Sequence, residues 1–153
     1  MQPKIINRNS FQVMGTLTRI TPENENVETF GTIWQQFEAH RHLNMPRSTD
    51  QKYYGISFNT GEKGVRDYLA AMAVKNVTAT PKELVVREIP AAQYAVFECD
   101  VQKIGETYQF IFREWLPNSH YAFSELAPAF EEYPSECDDE TPVLIHIPIV
   151  DKS

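Results

Sequence analysis

The residues able to do chemistry in this chain gather in one short stretch. "PAFEEYP", Pro128 to Pro134, sets Glu131 and Glu132 between aromatic rings in a segment that reads as a β-strand. A strand alternates its side chains, so Glu131 and Tyr133 share one face while Phe130 and Glu132 share the other. Burying either face takes an acid with it, and a buried carboxylate is costly unless something pairs with it. Four partners can be weighed: a protein cation such as Arg66 or Arg113, a metal ion, a proton, or an organic cation arriving as a ligand. A further reading stays open on sequence physics alone: an edge strand flanked by prolines, with both acids in water. For Glu132 the solvated reading is preferred.

The remaining candidates are weaker. His40 and His42 in "HRH" stand about 200° apart on a helix, so they share no face and make no metal site. His120 and His146 lie on separate segments, and neither a metal nor any other cofactor is expected. Cys99 and Cys137 are possible nucleophiles, but a small buried core residue is the better reading of each, and two cysteines make no disulfide framework. Nucleophile elbows and triad spacings are absent.

Composition narrows the classes. Of 153 residues, 42% are hydrophobic and 12% aromatic, with seven Tyr, nine Phe and two Trp. This is globular composition with more rings than a core of this size needs. The formal net charge of −7 repels phosphates, and no Lys/Arg cluster overrides it, so no nucleic-acid partner is expected. A cationic partner is electrostatically favoured. The start, "MQPKIINRNS", has no apolar core of a signal peptide, and no apolar run approaches a membrane span. A soluble cytoplasmic protein is therefore expected.

These residues need elements to position them, and the chain supplies two similar sets. Phe30, Ile33, Trp34 and Phe37 recur as Tyr108, Ile111, Phe112 and Trp115, offset by 78 positions. Each quartet makes one apolar helix face. The first helix should stop before Pro46 and the second at Pro117. "FQVMGTLTRI" and "AAQYAVFECD" precede the helices as strands. "KYYGISFN" and "RDYLAAMAV" follow the first, and "PAFEEYP" and "PVLIHIPIV" the second. "ELVVREI" adds a further strand between the halves. The fold class predicted is α+β: a single domain over 1–153 with half-repeats at about 1–76 and 82–153. Tandem β-α-β-β units form one antiparallel sheet with both helices on one face, related by a pseudo-twofold axis. A groove is left between the helices. Most single rings in such stripes are core, but the excess of Tyr points to pocket walls, where a hydroxyl finds a partner.

The order "REIPAAQYAVFE", helix, "WLPNSHYAF", "PAFEEYP", "HIPI" resembles the GyrI-like effector-binding domain family, the ligand-sensing part of many AraC-type and MerR-type multidrug regulators. The first half is similar more loosely, through "FQVMGTLTRI", "IWQQF" and "YYGISFN" followed by "YLAAMAV". The resemblance implies a groove whose floor carries an acid among rings, here Glu131, pairing with lipophilic cations. It implies Tyr108 as a groove ring, with Phe30 and Trp34 as its pseudo-symmetric counterparts. Trp115, Tyr133 and Tyr54 complete the candidate lining. The ring that the family often places before its terminal "IP" is His146 here, which can hydrogen-bond a carboxylate or carry a proton. The chain has no helix-turn-helix segment, so a stand-alone binder of amphipathic cationic molecules is expected. Two alternatives accompany it. Some proteins of this fold hydrolyse electrophilic small molecules, and Glu131 with Tyr133 and His146 could act as a general base. Some relatives are linked to inhibition of DNA gyrase, which makes a protein-interaction module the third.

Overall fold

Residue alternation decides which strands lie inside. In "RDYLAAMAV", Tyr68, Ala70 and Met72 fall on one face and Leu69, Ala71 and Ala73 on the other, and all six are buried. Such a strand must be central with both faces covered. The computed structural model describes residues 2–135 and 141–152 of the chain. Cys137 and most of the acidic run that follows "EEYP" lie outside the described residues.

Nine strands and two main helices are described. The strands are β1 (Lys4–Arg8), β2 (Phe11–Ile20), β3 (Tyr53–Asn59), β4 (Arg66–Val74), β5 (Val85–Ile89), β6 (Ala92–Cys99), β7 (Tyr121–Phe123), β8 (Ala129–Tyr133) and β9 (Val143–Asp151). Helix α1 (Val27–Asn44) lies between β2 and β3, and α2 (Ile104–Phe110) follows β6. The strands form one antiparallel sheet in the order β1-β6-β9-β8-β3-β4-β2-β5, with β7 paired to the far end of β9. The fold is the α+β architecture predicted. The half β2-α1-β3-β4 contributes the order 3-4-2 and the half β6-α2-β8-β9 the mirrored order 6-9-8, so they meet at a β3–β8 seam. "ELVVREI" supplies β5. Strands β1 and β7 went unread in the sequence.

Both helices lie on one face. Ile33 and Phe37 of α1 pack with Tyr68, Ala70 and Met72, while Ile111 and Leu116 pack with Phe97, Ile145 and Ile147. The register joins these two sets, because Gly55 pairs with Ala70 and with Glu131, which pairs with Ile145. The opposite face buries Val13, Tyr54, Leu69, Ile89, Tyr94 and Phe130 in one cluster, with Ile6 packed against it. Ile6 and Ile89 sit on strands at opposite ends of the sheet, so the sheet curls around this face.

Helix ends follow local chemistry in α1. The Asn26 side chain accepts from the Thr29 amide at 2.9 Å, Glu28 lies in the first turn, and the helix ends at Asn44, before Pro46. The second helix departs from expectation. Pro117 does not stop it: a π-helical turn (Ile111–Trp115) carries it into a last turn (Leu116–Asn118). A proline ring clashes with the carbonyl four residues back in α-helical register, and the π turn shifts that carbonyl away. Asn118 Nδ2 donates to the Glu114 carbonyl at 2.7 Å across the same turn.

A carboxylate held by three tyrosines

"PAFEEYP" is not an edge. Strand β8 runs inside the sheet between β3 and β9, and both of its acids are buried, Glu131 at 6% and Glu132 at 7% exposure. Alternation sends them to opposite faces, as the sequence predicted, and their surroundings differ in kind.

Glu131 faces the helices. Its Oε2 accepts the Tyr108 hydroxyl at 2.6 Å, and its Oε1 accepts Tyr68 and Tyr133 hydroxyls at 3.3 Å each. The three tyrosines come from α2, β4 and β8. Trp34 of α1 closes over them, with its ring edge-to-face on Tyr133 at 5.4 Å and on Tyr68 at 6.5 Å. Phe30 meets Tyr68 at 5.0 Å. Among the described residues no Lys or Arg lies within ion-pair distance of Glu131. Arg66 pairs with Glu25 at 2.7 Å instead, and Arg113 is exposed. Burial pushes the Glu131 carboxyl above its ordinary range, against the lowering by its tyrosine hydrogen bonds. Burial and the neighbouring carboxylate also raise the phenols of Tyr68, Tyr108 and Tyr133 well above theirs, so they stay hydroxyl donors.

Gly55 makes this packing possible. It sits directly across from Glu131 in the β3–β8 ladder. A methyl group there would collide with the Tyr68 hydroxyl, would lie 2.9 Å from Tyr68 Cζ and 3.0 Å from Glu131 Oε1. Tyr68 and Gly55 escaped the sequence reading. The signal for Tyr68 was its alternation with Ala70 and Met72 on the helix-facing side of "RDYLAAMAV".

Glu132 corrects the solvated reading. Its Oε1 accepts from Arg8 at 3.1 Å and its Oε2 lies 3.3 Å from Lys52 Nζ. Arg8 is itself stacked over rings, 4.4 Å from the Phe11 centroid and 5.4 Å from Phe130. Burial alone would raise the Glu132 carboxyl, but the Arg8 hydrogen bond and the charges of Lys52 and Arg8 hold it below the usual range.

Two predicted groove residues belong to this second cluster. Tyr54 pairs with Glu132 in register, and its hydroxyl donates to Asp50 at 2.7 Å and accepts from Arg8 at 3.2 Å. His146 pairs with Phe130 and stacks on it at 4.3 Å, with its Nε2 3.5 Å from Arg8. Both therefore lie on the opposite side of the sheet from Glu131, so His146 cannot serve as its partner. Burial lowers the imidazole to about 4. Trp115 is on the helix side, but its ring packs against Phe97 and Tyr121 rather than over the carboxylate. Cys99 is a buried free thiol whose pKa burial raises, in keeping with a core role. Of the residues that the sequence singles out, Glu131, Tyr108, Tyr133, Trp34 and Phe30 are brought together.

The carboxylate and Tyr68 are buried, while Phe30, Trp34, Tyr108 and Tyr133 are half-buried. Two surface depressions of about 330 and 350 Å³ lie elsewhere, one beside Thr18, Thr29 and Ile33 and one beside Pro46, Arg47 and Lys75. Neither borders Glu131. Among the described residues no group of His, Cys, Asp and Glu could hold a metal ion, and no helix is long and apolar enough to cross a membrane.

A family model described as GyrI-like small molecule binding domain matches residues 1–150. No curated protein matches. Among solved structures, an integron cassette protein from Vibrio cholerae is similar at 22% identity and TM-score 0.71, over 98% of this chain and 97% of that one. The structure of SAV2435 bound to tetraphenylphosphonium gives 17% identity and TM-score 0.76, over 98% and 94%. The C-terminal domain of EcmrR gives 14% identity and TM-score 0.67, covering 98% of both chains. At these identities the likeness is one of fold.

Proposed function

This chain belongs to the GyrI-like small molecule binding domain family, and from that premise we propose that it captures lipophilic organic cations at Glu131. The observation that carries the reading is the contrast between two adjacent acids. Glu132 has an internal cation, Arg8, lodged among rings. Glu131 has rings and hydroxyls but, among the described residues, no cation within ion-pair distance. A ligand with a delocalised or shielded positive charge would supply on one face what Arg8 supplies on the other. Its charge meets the carboxylate, and Trp34, Tyr108 and Tyr133 offer π faces worth roughly 0.5–2 kcal/mol each. The fold neighbour solved with tetraphenylphosphonium supports the ligand class.

Hydrolysis has less support. Both carboxylate oxygens already accept tyrosine hydroxyls, and His146 lies on the other face of the sheet.

Titration calorimetry with tetraphenylphosphonium, neutral triphenylphosphine oxide and anionic tetraphenylborate tests the proposal. Micromolar binding of the cation alone is the expected result. Glu131→Gln should lose about 2–5 kcal/mol of that affinity, as breaking other buried pairs does. Tyr108→Ala should lose about 1–2 kcal/mol. Equal binding of all three probes, or full affinity in Glu131→Gln, overturns it.

A further inference from the structure

The apolar stripe of the second helix predicts Phe112 as a core residue beside Tyr108 and Ile111. The structure buries Ile111 and leaves Phe112 43% exposed. Phe112 lies in the π turn that starts at Ile111. Its ring is parallel to that of Tyr108, with 9° between planes and 6.4 Å between centroids. It also touches Phe123 of β7, 38% exposed, at 5.7 Å. Two half-exposed phenylalanines from separate elements thus lie side by side in water.

Exposed rings in contact need a reason, since folding alone would hide them. Their position supplies one. Tyr108 is the common member: its hydroxyl reaches Glu131 at 2.6 Å, and its ring face continues into Phe112 and then Phe123. A continuous run of rings therefore leads from the buried carboxylate to solvent. Trp34 has no such counterpart role, although the repeat aligns it with Phe112. It packs inward on Tyr68 and Tyr133. The two helices consequently close the groove unequally, and the side that reaches the surface in rings is that of α2.

We propose that Phe112 and Phe123 form an outer aromatic subsite that selects ligands by their aryl substituents, holding those arms while the cationic centre sits at Glu131. The proposal rests on the reading of Glu131 as the cation site and adds a specificity determinant to it. The occupant is an aryl arm rather than an alkyl chain or a protein. Rings stack or meet edge-on with rings, and Tyr108 joins this platform to the charge that fixes the rest of the molecule.

The test uses a series of equal charge: tetramethylphosphonium, trimethylphenylphosphonium, methyltriphenylphosphonium and tetraphenylphosphonium. Each is titrated into the wild type, Phe112→Ala, Phe123→Ala, Phe112→Trp and Glu131→Gln. Phe112→Ala and Phe123→Ala should weaken the triaryl and tetraaryl probes about tenfold and tetramethylphosphonium less than twofold. Phe112→Trp should restore wild-type affinity. A loss of the same size for all four probes, or none for any, overturns the subsite. If Glu131→Gln weakens the aryl cations while Phe112→Ala and Phe123→Ala leave them unchanged, only the subsite fails. If Glu131→Gln changes nothing, or the wild type binds none of the series, the cation site itself fails. Both phenylalanines are half-exposed, so the alanine variants should fold. Should one not, the other and Phe112→Trp decide the matter.

Discussion

Glu131 and Glu132 are neighbours on β8 whose carboxylates are buried on opposite faces of one sheet, the first among three tyrosine hydroxyls and the second against Arg8. Burial works against both charged forms. Only for Glu132 does a guanidinium offset it. The two acids should therefore respond oppositely to loss of charge.

Glu131→Gln should leave stability at neutral pH unchanged or raised, since the carboxylate there is poorly solvated and contributes little to folding. Glu132→Gln should cost about 1–3 kcal/mol, because it leaves Arg8 half-buried without its counter-ion. Urea unfolding of the two variants against wild type checks the pair. A larger loss for Glu131→Gln would contradict this account.

Cation binding should strengthen as pH rises. The folded Glu131 carboxyl is held above its ordinary pKa by burial, so below that raised value the ligand has to displace a proton. Above it the carboxylate meets the cation directly. The groups facing Glu131 are Tyr68, Tyr108 and Tyr133, which stay protonated, with the charge of Arg66 acting from farther off. Calorimetry in buffers of different ionisation heat should record proton release on binding at low pH, fading at high pH. Affinity independent of pH would count against the linkage.

His146 should make the fold acid-sensitive. Its folded pKa of about 4 lies below the ordinary 6.5, so the unfolded chain takes up the proton first as pH falls. Its contribution is fully present above 6.5 and drains away between there and about 4, totalling about 3 kcal/mol. His146→Phe keeps a ring stacked on Phe130 and removes the titration. The difference between wild-type and variant stability should change across that window. A constant difference would refute the assignment.

Gly55→Ala should cost about 1–3 kcal/mol and weaken cation binding, because the added methyl group displaces the Tyr68 hydroxyl from Glu131. Gly31→Ala provides the contrast. It sits in open space on α1, where alanine should stabilise by about 0.5–1 kcal/mol. Chemical denaturation of both variants, with one titration each, is sufficient.

Period and punctuation carried most of the fold. The repeated stripes placed α1 and α2, and alternation set the faces of Glu131 and Glu132 without any knowledge of partners. What stayed illegible depended on register and distance. His146 and Tyr54 alternate as cleanly as Tyr133 does, but which way each points is fixed only by pairing with Phe130 and Glu132. A one-residue slip would have reversed them. Arg8 lies 124 positions from Glu132, on a strand too short and too polar to announce itself. Pro117 marked a helix end by a rule that the π turn suspends.

The position of β9 bears on how this chain comes to be folded at all. Residues 143–151 form a strand that lies inside the sheet, and it alone bridges β6 to β8. Until those residues leave the ribosome, β1 and β6 can form a ribbon and the strands from β8 to β5 a separate slab, each with an unprotected edge. The pairing that joins them comes after nearly the whole described chain has been made, so loop-closure entropy is met late and in one step. A nascent chain stalled before residue 143 should expose two sticky edges where the finished protein has a seamless interior. Chaperone engagement during synthesis should peak over that interval and fall once β9 inserts.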